Sequence, residues 1–203
     1  MDSPSCDALH AIVLAAGAST RFGSPKQLVR VNGRPLLHTM ISHAAEVAGN
    51  AVTVVLGASS AELAPLLKHS TASIVINRDW REGLSSSIRA GVARLPASCT
   101  AALIVLSDQA AVTAEDLKRL ASTWRRQPEY AVAAHYGSTT GVPAIFPRSM
   151  FGPLGELRGD VGARALLQRN PDRLVRVAMP SAAIDIDTPE DLLLLEAAKP
   201  PAR

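Results

Sequence analysis

The sequence predicts a single α/β domain built on a mainly parallel β-sheet, and three observations predict it. Strand-like and helix-like segments alternate along the whole chain. The runs Ala11–Ala15 and Ala101–Leu106 are apolar throughout, which suits strands covered by helices on both faces. Aromatic residues are only 3% of the chain while the hydrophobic class reaches 47%, so the core must be built from Ala, Val, Leu and Ile.

The elements follow in order. Ala11–Ala15 is the first strand. Leu36–Val47 has helical periodicity after Pro35. Ala51–Leu56 is a β-branched strand that ends at Gly57. Ala61–Lys68 reads as a short helix and Ser73–Ile76 as a short strand. Leu84–Leu95 is a helix that Pro96 ends. Ala101–Leu106 is the second apolar strand. Ala114–Arg126 is a helix with Thr113 at its N-cap and Asp116 at the capping-box position. Ala131–Ala134 and Ala144–Phe146 read as strands, and Gly162–Arg169 as a helix. Pro189–Ala198 is a last helix, with Thr188 as N-cap, Pro189 at N1 and acids in its first turn. In open sheets of this kind ligands bind at the carboxyl ends of strands. That rule places the loops after Ala15 and after Leu106 on one edge.

Composition excludes several classes. A length of 203 residues suits one core of ordinary size. Charged residues at 19% fit a folded chain rather than a disordered one. The net charge of +3, from 21 basic and 18 acidic residues, is too mild and dispersed for a nucleic-acid surface. No apolar run approaches a membrane span. The N-terminal segment carries Asp2 and Asp7 and lacks the pattern of a signal peptide, so a cytoplasmic location is expected. Cys6 and Cys99 are the only cysteines, with no metal-binding spacing and no expected disulfide.

The chemistry starts at the loop after the first strand. Ala16 to Gly23 is rich in small residues and delivers Arg21 and Lys26. Small residues let backbone N–H groups approach an anion, and the two cations add charge where phosphates would sit. A Walker A loop is excluded, because five residues separate Gly17 from Gly23 and Ser24-Pro25-Lys26 follows. The dinucleotide fingerprint Gly-x-Gly-x-x-Gly is also absent here. By itself the loop fits a triphosphate cradle and a ligand-free turn equally well.

Leu14-Ala15-Ala16-Gly17, with Arg21 beyond it and then Pro25-Lys26-Gln27-Leu28, resembles the signature loop of the MobA-like nucleotidyltransferases. Within them it is most similar to the CTP:molybdopterin cytidylyltransferase branch. The guanylyltransferase branch usually has Leu-Ala-Gly-Gly and Asp-Lys at these places. The resemblance implies a Rossmann-like three-layer α/β sandwich, like that of nucleotide-diphospho-sugar transferases, as one domain over residues 1–203 with its core at about 8–198. It implies transfer of CMP from CTP to the terminal phosphate of molybdenum-bound molybdopterin, with Mg²⁺ as cofactor. A molybdoenzyme or its maturation chaperone would be the partner downstream. The alternatives are GTP as donor, a sugar or alditol phosphate as acceptor, and a non-catalytic carrier of molybdopterin or nucleotide.

The resemblance also assigns residues. Leu14, Ala15, Ala16, Gly17, Arg21 and Lys26 fall on the family's nucleotide loop, with Lys26 and Arg21 as catalytic cations. Asp108 follows the apolar strand in Leu106-Ser107-Asp108-Gln109. Read alone it is a turn aspartate or a metal ligand at a strand end. Similar enzymes have Asp-x-Pro here with a metal-binding aspartate, which makes Asp108 a catalytic metal ligand. This chain has Ala110 in place of that Pro, which is expected to loosen the turn. In Ile184-Asp185-Ile186-Asp187-Thr188-Pro189-Glu190-Asp191, two aspartates would share one face of an extended segment. The family's motif closes the metal site here, with Asp187 preferred and Asp185 second; the other reading has Asp187 and Asp191 serving the helix N-terminus. Gly83-Leu84-Ser85-Ser86-Ser87 with Gly91 resembles the family's Gly-Leu-x-Ser-Ser-x-x-x-Gly segment, which makes Ser86 and Ser87 nucleotide contacts; capping of the helix start accounts for at least one of the three serines. Gly141-Val142-Pro143 and Gly159-Asp160-Val161-Gly162-Ala163-Arg164 resemble the acceptor elements, which assigns Gly141, Pro143, Asp160 and Arg164 to the acceptor; the other reading makes Asp160 a helix cap and Arg164 an exposed helical residue. His38, His43 and Trp80 read as packing or surface residues.

Overall fold

The computed structural model describes residues 8–186, 188 and 190–192. The first strand, β1 (Leu9–Ala15), is buried along almost its whole length. After the signature loop comes a two-residue-strand hairpin, β2 (Arg30–Val31) and β3 (Arg34–Pro35). Its turn is Asn32-Gly33, both at positive φ, the backbone that a tight hairpin demands. Helix α1 (Leu36–Ala48) then leads to β4 (Val52–Leu56), helix α2 (Ser60–Leu66) and β5 (Ser73–Ile76). Helix α3 (Leu84–Val92) precedes β6 (Ala101–Leu106), and α4 (Ala114–Arg126) follows it. The predicted capping box on α4 is present in both directions between Thr113 and Asp116. The chain continues through the hairpin β7 (Ala131–Tyr136) and β8 (Thr139–Pro147) and two short helices, α5 (Phe151–Gly155) and α6 (Ala163–Arg169), to β9 (Leu174–Ala178). The hairpin β2–β3, helix α5 and strand β9 are additions to the sequence reading. Of the predicted last helix, residues 190–192 are helical and the remainder lies outside the described residues.

Seven strands form one sheet in the order β5-β4-β1-β6-β8-β7-β9. All neighbours run parallel except β8, which is antiparallel to both β6 and β7. The single reversal follows from the tight β7–β8 hairpin, which turns the chain back and inserts β8 between β6 and β7. Side-chain alternation divides the core. Ala11, Val13 and Ala15 face α1 and α4, together with Leu117, Leu120 and Trp124. Ile12 and Leu14 face the other way, onto Ile88 of α3 and the α5–α6 side, with Leu154 and Leu166. Helices therefore cover both sides of the sheet. Among the described residues no helix is long and apolar enough to cross a membrane.

The chain order places β4 on one side of β1 and β6 on the other. A crevice opens at such a switch point, at the carboxyl ends of the two central strands. Register fixes its width: Leu14 stands beside Leu106 in the parallel β1–β6 pair. The Ser107 N–H donates to the Leu14 carbonyl at 3.0 Å and extends that pairing one step past the strand ends.

Gly91 sets how closely α3 lies on the sheet. A Cβ there would stand 2.6 Å from the Ile12 Cγ2 methyl, which sits on a rigid β-branched side chain. Replacing a helical glycine by alanine ordinarily gains about 1 kcal/mol. Overpacking a tight core costs about 1–3 kcal/mol and reverses the sign here. Gly91→Ala is therefore expected to lower the thermal unfolding midpoint by calorimetry; a raised midpoint would contradict this packing.

Candidate active site

A cavity of about 670 Å³ occupies the crevice. Its walls come from the signature loop, the segment after β5 together with the start of α3, the loop after β6, and Asp160.

The signature loop is shaped by one buried amide. Gln27 is only 1% exposed. Its side-chain amide nitrogen, Nε2, donates to the carbonyls of Ala15 and Gly17, both at 3.4 Å. Its carbonyl oxygen accepts from the Ser19 hydroxyl at 3.4 Å, and the Ser19 Oγ accepts the Lys26 N–H at 3.2 Å. The Ala58 N–H holds the Ala16 carbonyl at 3.1 Å. With the carbonyls of Ala15, Ala16 and Gly17 all tied back to protein, planar peptides turn the N–H groups of Ala16, Gly17 and Ala18 the opposite way. These residues line the cavity, so the loop presents donors to it.

Lys26 meets Asp108 across the crevice. Lys26 Nζ lies 2.6 Å from Asp108 Oδ2, and the two side chains are only 13% and 19% exposed. The other carboxylate oxygen, Oδ1, is buried with no hydrogen-bond partner. The Asp108 backbone is held from two directions: its carbonyl accepts the Ala110 N–H at 2.9 Å and the Ile186 N–H at 3.0 Å. A proline at position 110 could not supply the first of these bonds. The substitution that is expected to loosen the turn instead braces it. The second bond brings the Asp185-Ile186 segment against the Asp108 turn. Ile186 is buried in a small apolar cluster with Leu36, packed against by Phe22, Ala110 and Leu192. Asp187, the preferred second metal ligand, lies outside the described residues. Asp191 accepts the Thr188 N–H at 2.8 Å, as the helix-capping reading expects of it.

Gln109, also 1% exposed, was given no role by the sequence. It donates to the carbonyls of Val142 (3.0 Å) and Ala182 (3.2 Å), and so ties the Asp108 turn to β8 and to the segment leading to Asp185.

The serines divide. Ser87 lines the cavity, and its Oγ accepts from Asn77 Nδ2 at 3.0 Å, which leaves its own hydrogen to donate. Ser86 stands behind the wall: its hydroxyl donates to the Gly83 carbonyl at 2.8 Å and accepts from Asn77 at 2.8 Å. Trp80 and Arg81 also line the cavity, with the guanidinium 4.3 Å from the indole centroid.

The four residues assigned to the acceptor do not stay together. Asp160 is on the cavity wall beside Gly83, which adopts φ +98; a Cβ there would overlap the Asp160 carboxylate, so only glycine fits. Gly141 and Arg164 gather instead around Tyr136, with Pro143 just beyond on β8. A Cβ on Gly141 would lie 3.2 Å from the Tyr136 hydroxyl. Burial and then the Asp185 carboxylate push the Tyr136 phenol up, and Arg164 works against them. His38 and His43 bond the carbonyls of Leu66 and Val112 and do not line the cavity.

Fold and crevice define an α/β nucleotidyltransferase. The chain belongs to the MobA-like NTP transferase family: residues 11–174 match the MobA-like NTP transferase domain. A similar curated protein is nicotine blue oxidoreductase of Paenarthrobacter nicotinovorans, 31% identical over 199 residues, covering 91% of this chain and 94% of that one. Among solved structures, the Rv0371c homologue from Mycobacterium sp. strain JC1 is 27% identical with a TM-score of 0.82, covering 95% of this chain and 96% of that one. The complex of Rv0371c from Mycobacterium tuberculosis H37Rv with manganese is 25% identical with a TM-score of 0.78, covering 94% and 99%.

Gln27→Met removes the amide and leaves two loop carbonyls without donors. Leaving a buried polar group unpaired costs about 1–3 kcal/mol. The expected result is a rise of about tenfold in the KM for nucleotide with a smaller change in kcat, since about 1.4 kcal/mol corresponds to tenfold. An unchanged KM would remove Gln27 from the loop's function.

Proposed function

We propose that this enzyme transfers CMP from CTP to the terminal phosphate of molybdenum-bound molybdopterin and releases pyrophosphate. The observation that carries the reading is the meeting of Lys26 and Asp108 at 2.6 Å in the crevice, beneath a loop whose N–H groups face the same cavity. The donor base rests on the loop sequence, in which Leu14-Ala15-Ala16-Gly17 and Pro25-Lys26 follow the cytidylyltransferase pattern.

The chemistry needs no covalent enzyme intermediate. An oxygen of the acceptor phosphate attacks the α-phosphorus in line; a new P–O bond forms as the bond from the α-phosphorus to the oxygen bridging it to the β-phosphorus breaks, and that electron pair leaves on pyrophosphate. The enzyme's task is to hold two anions together and offset charge. The loop N–H groups and Arg21 hold the β- and γ-phosphates. Lys26 neutralises the α-phosphate and the reacting oxygens. Ser87 donates to an acceptor atom of the cytosine or ribose.

A divalent cation fits this donor set. Asp108 has a buried, unpartnered carboxylate oxygen, a hard ligand of the kind Mg²⁺ takes. Among the described residues no group of three or more His, Cys, Asp or Glu forms a metal site. Mg²⁺ sites are commonly held by one or two carboxylates and completed by phosphate oxygens and water. Asp108 would hold the ion, with Asp187 or Asp185 as the second ligand. When bound, the ion offsets the charge on the departing pyrophosphate. The manganese complex of Rv0371c supports a divalent ion, and Mg²⁺ is the ion proposed for this chain.

The acceptor would enter from the side of Gly141, Pro143 and Arg164. Asp160 would serve nearer the nucleotide, because it shares the cavity wall with Ser87. A carrier, or an enzyme using GTP or a sugar phosphate, is the competing reading.

The test is pyrophosphate release with Mg²⁺, each nucleoside triphosphate and molybdenum-loaded molybdopterin. Release with CTP alone is expected. Release only with GTP, or only with a sugar or alditol phosphate as acceptor, would overturn the substrate pair. Binding without release would favour a carrier. Reductant-dependent reduction of nicotine blue without pyrophosphate release would move the chain to the activity its Paenarthrobacter relative is named for. Within the expected outcome, Lys26→Ala should lower kcat by about 10²–10³-fold with the fold intact; wild-type turnover by that variant would contradict the role of Lys26.

A further inference from the structure

The loop between α5 and α6 is tied to the start of α3 at several points. The Arg89 guanidinium donates to the Leu157 carbonyl at 2.7 Å and to Glu82 Oε2 at 2.6 Å. The Ser85 N–H donates to the Gly159 carbonyl at 3.2 Å. Two glycines permit the approach: a Cβ on Gly83 would overlap the Asp160 carboxylate, and one on Gly162 would stand 2.9 Å from Leu84 Cδ2. Arg89 does not line the cavity, but both segments it joins do, one through Trp80 and Arg81 and the other through Asp160. A planar guanidinium with five donors can hold a carboxylate and a carbonyl at once, so Arg89 straps the two segments together from outside the cavity.

Asp160 brings a second carboxylate to a cavity read as taking a triphosphate. The first, Asp108, is matched by Lys26 at 2.6 Å, whereas Asp160 makes no ion pair among the described residues. A negative charge of this kind repels phosphates, which the signature loop draws to its own wall. Asp160 therefore faces the nucleoside end of the ligand. A carboxylate only accepts hydrogen bonds, so the groups that satisfy it there are neutral donors, a ribose hydroxyl or an exocyclic amine of the base. We propose that Asp160 accepts a hydrogen bond from such a donor, and that Arg89 is the positioning residue that holds it in place. This inference rests on the nucleotidyltransferase reading of the same cavity. Asp160 thereby serves the nucleotide, although its motif resembles an acceptor element.

The test is equilibrium binding by calorimetry, without acceptor and so without turnover. The probes are CTP, 2′-deoxy-CTP, 3′-deoxy-CTP and UTP, each with Mg²⁺. Asp160→Ala should weaken CTP binding about tenfold, the low end for a hydrogen bond to a charged group because Asp160 is exposed. It should not weaken the analogue that lacks the donor: a deoxy-CTP so spared identifies a ribose hydroxyl, and UTP so spared identifies the base amine. Arg89→Met should shrink the same ratio of CTP to analogue affinity, and should change it no further in the Asp160→Ala background, because its effect runs through that carboxylate. A merely structural role for Arg89 would lower all four affinities together and leave the ratio intact. Asp160→Ser and Arg89→Lys repeat each arm if a first variant does not fold. Equal weakening of all four nucleotides by Asp160→Ala, or no weakening, overturns the role of Asp160. A ratio that Arg89→Met leaves intact, or still shrinks without Asp160, overturns the role of Arg89. In both cases the function reading stands. If the wild-type chain binds another nucleoside triphosphate and not CTP, the substrate pair is overturned and the deoxy forms of that nucleotide decide the role of Asp160. If it binds no nucleoside triphosphate, the function reading and this inference fail together.

Discussion

The parallel pairing of β1 with β6 is the constraint on which the rest of the site depends. It sets Leu14 beside Leu106, so the two loops leave the sheet as neighbours on one edge. Both strands are buried on both faces, and a shift in register would turn their apolar side chains toward the wrong helices. The hydrophobic core therefore fixes a distance that the chemistry needs. Lys26 and Asp108 meet because Ile12, Val13, Ile104 and Val105 cannot pack in another register.

Around that fixed edge the site uses two buried amides to shape irregular backbone. Gln27 gathers loop carbonyls and so turns N–H groups toward the cavity. Gln109 draws β8 and the segment before Asp185 toward the Asp108 turn. A neutral amide suits both places, because it satisfies carbonyls without adding charge to a crevice already lined by Arg21, Lys26, Arg81, Asp108 and Asp160. Trp80 and Arg81 on the cavity wall are more exposed than these two amides.

Much of this architecture is legible in the sequence where one physical signal dominates. The apolar runs reveal β1 and β6, and the Thr113–Asp116 capping box marks the start of α4. The hairpin at Asn32-Gly33 carries a strong turn signal, but its two-residue strands are too short to show alternation. Strand β9 escapes because it is an edge strand with exposed Arg176 in its middle. Helix α5 contains Gly152 and Pro153, which read as loop. In the site, the charged residues stand out because charge at a strand end is unusual. Gln27 and Gln109 do not, since an amide's value lies wholly in the carbonyls that surround it. The place of Asp160 beside Gly83, apart from Gly141 and Arg164, depends on how distant loops pack and has no local pattern.

The central claim is that the triphosphate occupies the crevice between the carboxyl ends of β1 and β6. Amide hydrogen exchange of the wild-type chain with and without Mg–CTP tests it most directly. The account predicts slowed exchange in residues 16–27 and 80–87 and in the turn at 107–110, with the outer segment 153–158 unchanged. Protection confined to 153–169, with the signature loop unaffected, would contradict it.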